Sequence, residues 1–283
     1  MNVGVFLALQ PYCTVEDNLR LAKAAGFDAA DITDTHAGGS MFGSADLAAT
    51  VSLDGNPFDT KRLFDKYGIK ISTICAHAAL LDPSSPARFA TDEIMKAIKF
   101  AAAIGIRDVI TTEFDAHTEW AKKLTFEQSI FTIAEKLYEP CRMASDYGVK
   151  ICLEPHGPYT DTVEGLKAIM NALGNIDSIG VNLDTGNSWL GGSDPVELAK
   201  VFKDKIYHIH WKDLGEDFVS KRGKEFGCGF STIELGKGVI DIKGVIEVLR
   251  DSTLIHNSTL EIAGTPELLR ASADFVKKHW NAA

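Results

Sequence analysis

The sequence predicts a single closed (β/α)8 barrel of the α/β class, and three observations carry that prediction. Eight short β-rich runs alternate with eight longer amphipathic segments along the 283 residues, with no break in the rhythm. Most of the β-rich runs are continuous apolar stretches, as parallel strands covered on both faces require. The first four helical patterns each end at a glycine, with a strand starting two or three residues later, which is the C-cap signature of an αβ turn.

In order, the strand-like runs are Val3–Leu9, Asp28–Thr33, Lys70–Ala76, Asp108–Glu113, Lys150–Glu154, Gly180–Asp184, Tyr207–Trp211 and Thr259–Ile262. The helical patterns Val15–Ala25, Phe58–Tyr67, Thr91–Ile104 and Phe126–Tyr147 stop at Gly26, Gly68, Gly105 and Gly148. Later helices are expected at Thr162–Ala172, Pro195–Phe202, Ile242–Leu249 and Pro266–His279. The competing architecture is an open doubly wound sheet. The first β–α turn, Gln10–Val15, lacks the G-x-G-x-x-G phosphate cradle that would favour it. Residues 1–283 therefore read as one domain, long enough to bury a large core without disulfides or structural metals.

Composition narrows the partners. Lys plus Arg is 29 and Asp plus Glu is 39, a balance of −10. A nucleic acid or an anionic membrane would need a basic face, so neither is expected as a partner. Cys13, Cys75, Cys141, Cys152 and Cys228 form no C-x-x-C pair, and Cys75 and Cys152 lie inside apolar strands. Buried free thiols and a reducing compartment, the cytoplasm, are expected. Met1–Gln10 has no basic leader region, and Val3–Leu9 is too short to span a bilayer.

Two insertions follow strand C-termini, the end at which such barrels carry their active sites: His36–Pro57 and Leu214–Gly238. Long loops at that end are expected to cover a site.

The chemistry is concentrated at four consecutive strand ends. These read Leu153-Glu154-Pro155-His156, Asn182-Leu183-Asp184-Thr185-Gly186-Asn187, His208-Ile209-His210-Trp211-Lys212-Asp213 and Leu260-Glu261. Alone, each carboxylate would pass for a solvated strand end and His210 for a satisfied core histidine. Three carboxylates and an imidazole converging on one end of a barrel need a cation, because buried charge without a partner is costly. Hard oxygens with one imidazole suit Mn²⁺ best, and Mg²⁺, Co²⁺, Fe²⁺ or Zn²⁺ also fit the set.

With Gly236-Lys237-Gly238-Val239-Ile240-Asp241, these motifs resemble the xylose-isomerase-like barrels, specifically their sugar phosphate isomerase/epimerase group. The resemblance runs along essentially the whole chain. It implies that Glu154, Asp184, His210 and Glu261 hold one divalent metal, and that Glu154 and Glu261 exchange a proton across a substrate carbon. The sequence departs from the ketose 3-epimerases of the group at two positions: Asn187 replaces a histidine, and Thr160 replaces a glutamate. His156 is expected to fill the resulting gap.

Other pocket candidates are His77 and Glu113, which close the third and fourth strands and either touch substrate or hydrogen-bond to loops. Lys212 and Arg222 are candidates for orienting a polyhydroxylated or anionic ligand, with a salt bridge from Lys212 to Asp213 or Asp184 as the alternative. Trp211 either stacks on a sugar face or faces the helices. His36, His117, His256 and His279, with Glu267 and Lys277–Lys278, read as solvated or structural. The expected function is a metal-dependent sugar or cyclitol isomerase/epimerase, with a dehydratase or lyase acting on an inosose or 3-keto-glycoside as the alternative. A DNA-repair endonuclease would call for more histidines, and a non-catalytic sugar-binding barrel would not need a complete ligand set. Self-association into a homo-oligomer is expected.

Overall fold

The computed structural model describes residues 1–34, 49–83 and 87–282. His36 and most of the first insertion lie outside them. The strands are β1 (Asn2–Phe6), β2 (Ala29–Thr33), β3 (Lys70–Cys75), β4 (Asp108–Thr111), β5 (Lys150–Leu153), β6 (Ile179–Asp184), β7 (Ile206–Trp211) and β8 (Asn257–Leu260). Each pairs in parallel with the next, and β1 pairs with β8 to close the barrel. Helices α1 (Val15–Ala24), α2 (Pro57–Tyr67), α3 (Phe89–Ile104), α4 (Phe126–Tyr147) and α5 (Val163–Ala172) return the chain after β1 to β5. Two helices follow β6, α6 (Thr185–Leu190) and α7 (Pro195–Phe202), and α8 (Ile242–Leu249) and α9 (Pro266–Trp280) complete the ring.

The elements match the expected order, with ends shifted by up to three residues and, among the described residues, one α-helix, α6, unforeseen. Gly68, Gly105 and Gly148 cap α2, α3 and α4 with φ of 60°, 78° and 68°, a backbone region that a side chain would strain. The N-termini are capped as well: Thr14 and Thr125 form reciprocal capping boxes with Asp17 and Gln128.

Alternation along the strands sorts the side chains. Val5, Ile32, Ile74, Val109, Ile151, Val181, Ile209 and Leu260 pack outward against the helices. Phe6, Cys75, Ile110 and Cys152 form a separate small cluster with Tyr207 inside the barrel. Trp211 belongs to the outer core and is fully buried, so it is not a stacking surface for a sugar. All five cysteines are free thiols. No helix among the described residues is long and apolar enough to cross a membrane.

Candidate metal centre

The parallel register decides which side chains meet. Asp184, the last residue of β6, pairs with His210 on β7, and His210 pairs with Thr259 on β8. Glu154 and Glu261 each follow the last residue of their strand, and their amides continue the ladder to Thr111 O (2.9 Å) and Trp211 O (3.2 Å). Ligand atoms of Glu154, Asp184, His210 and Glu261 therefore all lie within 4.8 Å of one another, and all four residues are buried. His210 Nδ1 faces Glu154 Oε1 and Glu261 Oε2 at 3.1 Å each and Asp184 Oδ2 at 3.9 Å.

Asp184 has two tasks. Its Oδ1 accepts the Asn187 amide (2.7 Å) and caps α6, which leaves Oδ2 turned toward the cluster. Burial, with Glu261 and Glu154 close by, pushes its carboxyl up to about 8 despite the Lys212 ammonium. Burial acts on Glu154 in the same direction, but His210 and His77 outweigh it and hold that carboxyl well below its usual range. Three buried carboxylates with one so strongly raised are short of positive charge, and the mixed oxygen and imidazole donors fit a divalent cation.

Comparison with known proteins places the fold in a family. Residues 19–279 match the family of xylose isomerase-like TIM barrels. The chain belongs to that family. It is 24% identical over 204 residues to the rhizopine catabolism protein MocC of Rhizobium meliloti, covering 67% of this chain and 61% of that one. It is 28% identical over 128 residues to an inosose dehydratase of Clostridium botulinum (strain Alaska E43 / Type E3), covering 42% of each chain. The matched segments thus span about half the length of these relatives. A D-tagatose 3-epimerase-like protein superposes with a TM-score of 0.75 at 19% identity, covering 99% of this chain and 97% of that one. The IOLI protein with a bound zinc atom superposes at 0.71 and 20% identity, covering 99% and 95%. At such identities the superpositions establish the barrel fold.

Within this xylose isomerase-like barrel, the remaining candidates separate into two groups. Lys212, His77 and Asn187 join the cluster. The fully buried Lys212 ammonium lies 3.0 Å from both Asp184 Oδ2 and Glu261 Oε2, so its salt bridge is to Asp184 and Glu261 rather than to Asp213. His77 Nε2 lies 2.8 Å from Glu154 Oε2. Asn187 Oδ1 accepts from Lys212 Nζ (3.2 Å) and the Cys228 amide (2.9 Å), tying the long insertion to the site.

His156 sits at the rim. Its ring packs edge-on against Phe114, with centroids 5.0 Å apart, and burial pulls its imidazole down to about 4, so it is neutral at pH 7. Phe114 holds φ of +58°, a conformation that costs a non-glycine residue roughly 1–3 kcal/mol and that collects at functional sites.

Glu113 and Arg222 lie elsewhere. Glu113 is fully buried, and its Oε1 accepts the amides of Tyr159 and Thr160 at 2.8 Å each, so it shapes the loop after β5 instead of facing the cluster. Thr160, at the position of the family's second glutamate, spends its hydroxyl on the His156 amide at 3.2 Å. The Arg222 guanidinium donates to Trp189 O and Ser193 O at 3.1 Å each and lies over the Trp189 ring, which secures the insertion to the end of α6.

Two roles escaped the sequence reading. Asp213 anchors both ends of the second insertion: Oδ2 accepts the Gly236 and Gly238 amides at 2.9 Å, and Oδ1 accepts Leu214 (3.0 Å) and Ile240 (3.1 Å). The signal was its place at the start of a glycine-rich loop. Asp31, on β2, lies 2.9 Å from His210 Nε2, and no local pattern marked it.

Proposed function

We propose that this chain is a divalent-metal-dependent isomerase or epimerase acting on a sugar or cyclitol by proton abstraction next to a carbonyl. The observation that carries the reading is the convergence of Glu154, Asp184, His210 and Glu261 within 4.8 Å at the C-terminal end of the barrel. These four would hold the ion, with Mn²⁺ best suited to three carboxylates and one imidazole. When bound, a divalent ion polarises a carbonyl and acidifies the neighbouring C–H. One glutamate then takes the proton from that carbon, and the opposite one returns a proton to it or to its neighbour. His77 holds Glu154 in one orientation through the 2.8 Å contact. The Lys212 ammonium, 3.0 Å from both Asp184 and Glu261, holds these two carboxylates in place. Both cationic candidates are committed, Lys212 to carboxylates and Arg222 to backbone carbonyls, which favours an uncharged polyol over a phosphorylated one.

The same first step supports a second reading, loss of a β-hydroxyl as water from an inosose or 3-keto-glycoside. Asn187 in place of the epimerase histidine favours it, because an amide paired with the Lys212 ammonium stands where the epimerases carry an imidazole. Turnover of a panel of keto-sugars and inososes in D₂O separates the two. Solvent deuterium in product and recovered substrate marks the epimerase, and an unsaturated ketone absorbing in the ultraviolet marks the dehydratase. Neither signal with any member of the panel sinks both. The proposal includes a cytoplasmic enzyme, in keeping with its free thiols, and self-association, which light scattering would measure.

A further inference from the structure

His210 uses both ring nitrogens. Nδ1 faces the carboxylates of Glu154 and Glu261, on the side where the ligand set converges. Nε2 points the opposite way and lies 2.9 Å from Asp31 Oδ2, a contact between residues 179 positions apart. Asp31 is fully buried on β2, and its Oδ2 also lies 3.3 Å from His208 Nε2, which in turn is 3.0 Å from Thr259 Oγ1. The edge of Phe6 closes against the His210 ring with centroids 6.0 Å apart and planes at 85°, so the imidazole has little freedom to turn over.

A carboxylate oxygen aimed at a ring nitrogen is satisfied by a proton on that nitrogen or, where several carboxylates converge on it as they do at Nδ1, by a cation they share with it. An imidazole that is protonated on Nε2 presents its lone pair on Nδ1. We propose that Asp31 is a positioning residue for the metal centre: by accepting the Nε2–H of His210 it selects the tautomer and ring orientation that turn Nδ1 onto the cation. The inference rests on the metal reading above and adds a residue to it. A carboxylate behind a ligating histidine also raises the basicity of the ligand, and loss of such a partner weakens metal binding by roughly 10–100-fold. Cys75 forms a compact group with Asp31 and His210. Its competing role, a second cation held on Nε2, gives a different stoichiometry.

Co²⁺ is the probe. The wild-type chain is expected to bind one Co²⁺, and in its diamagnetic Zn²⁺ form the ¹⁵N shifts of the His210 ring are expected to place the metal on Nδ1 and the proton on Nε2. Asp31→Asn, nearly identical in size, is expected to bind Co²⁺ about 10–100-fold more weakly with an altered visible spectrum. Thr259→Val, which removes the hydroxyl 3.0 Å from His208 Nε2 and keeps the backbone pairing with His210, is expected to leave both unchanged. Wild-type affinity and spectrum in Asp31→Asn would overturn the role of Asp31 alone, as would an equal loss in Thr259→Val. Metal on Nε2, or two Co²⁺ per chain, overturns it without any variant. A wild-type chain that takes up no Co²⁺ overturns the metal reading beneath it as well.

Discussion

The two halves of the barrel contribute differently to one site. The strands β5 to β8 deliver the four charged donors, each at or just past a strand end. The first half delivers groups that hold those donors. Asp31 on β2 contacts His210, His77 after β3 contacts Glu154, and Phe6 on β1 packs against the His210 ring. Glu113, after β4, fixes the loop that follows Glu154. Closure of the barrel makes this division workable, because a group on an early strand reaches a ligand on a late one across the interior. Under the proposed metal reading, the donors are oriented by groups that would not themselves bind the ion.

Four experiments would break or sharpen this contrast. Asp184→Asn removes a donor and leaves its helix cap, so the largest loss of bound metal is expected there. Metal content by elemental analysis should fall sharply, and kcat/KM should drop by roughly 10³-fold, about 4 kcal/mol of barrier. Metal content equal to wild type would show that the second half of the barrel does not hold the ion as drawn. Glu154→Gln and Glu261→Gln come next, with losses on the order of 10²–10⁴ in kcat and loss of solvent exchange at the substrate carbon. A variant keeping both its metal and its full rate would move the proton transfer to another residue, such as His156 or Lys212.

The third experiment is a pH series. Asp184, raised to about 8, holds a proton that the ion must displace, so metal affinity should climb with pH by up to about tenfold per unit and level off above about 8. The sign for folding is opposite. A carboxyl whose folded value lies above its unfolded value near 3.8 contributes stability at low pH, which the metal-free chain loses as pH rises toward about 8. The gain in Tm on adding Mn²⁺ should therefore be larger at pH 8 than at pH 6, and a pH-independent gain would contradict the crowded carboxylate cluster. The smallest effect is expected outside the cluster. Arg222→Ala should cost about 1 kcal/mol of stability through lost hydrogen bonds to helix-end carbonyls, with kcat nearly unchanged. A large change in KM would return Arg222 to the substrate pocket.

What the sequence determined by itself was the alternation of elements and the residues at the ends of the later strands. Strand runs, helix caps and terminal glycines are local patterns, set by backbone sterics and by which face is buried, and they are readable within a dozen residues. The short helix α6 was missed because Asp184 both ends a strand and caps a helix, with no linker between them to mark the change. Tertiary structure decided the rest. Asp31 sits in Ala29-Ala30-Asp31-Ile32-Thr33, where nothing nearby distinguishes a histidine's partner from a strand-end carboxylate. Glu113 and Glu154 both follow apolar strands, yet one turns to loop amides and the other to the ligand cluster. A hydrogen bond across the barrel depends on strand register and closure, and those are settled only when all eight strands pack together.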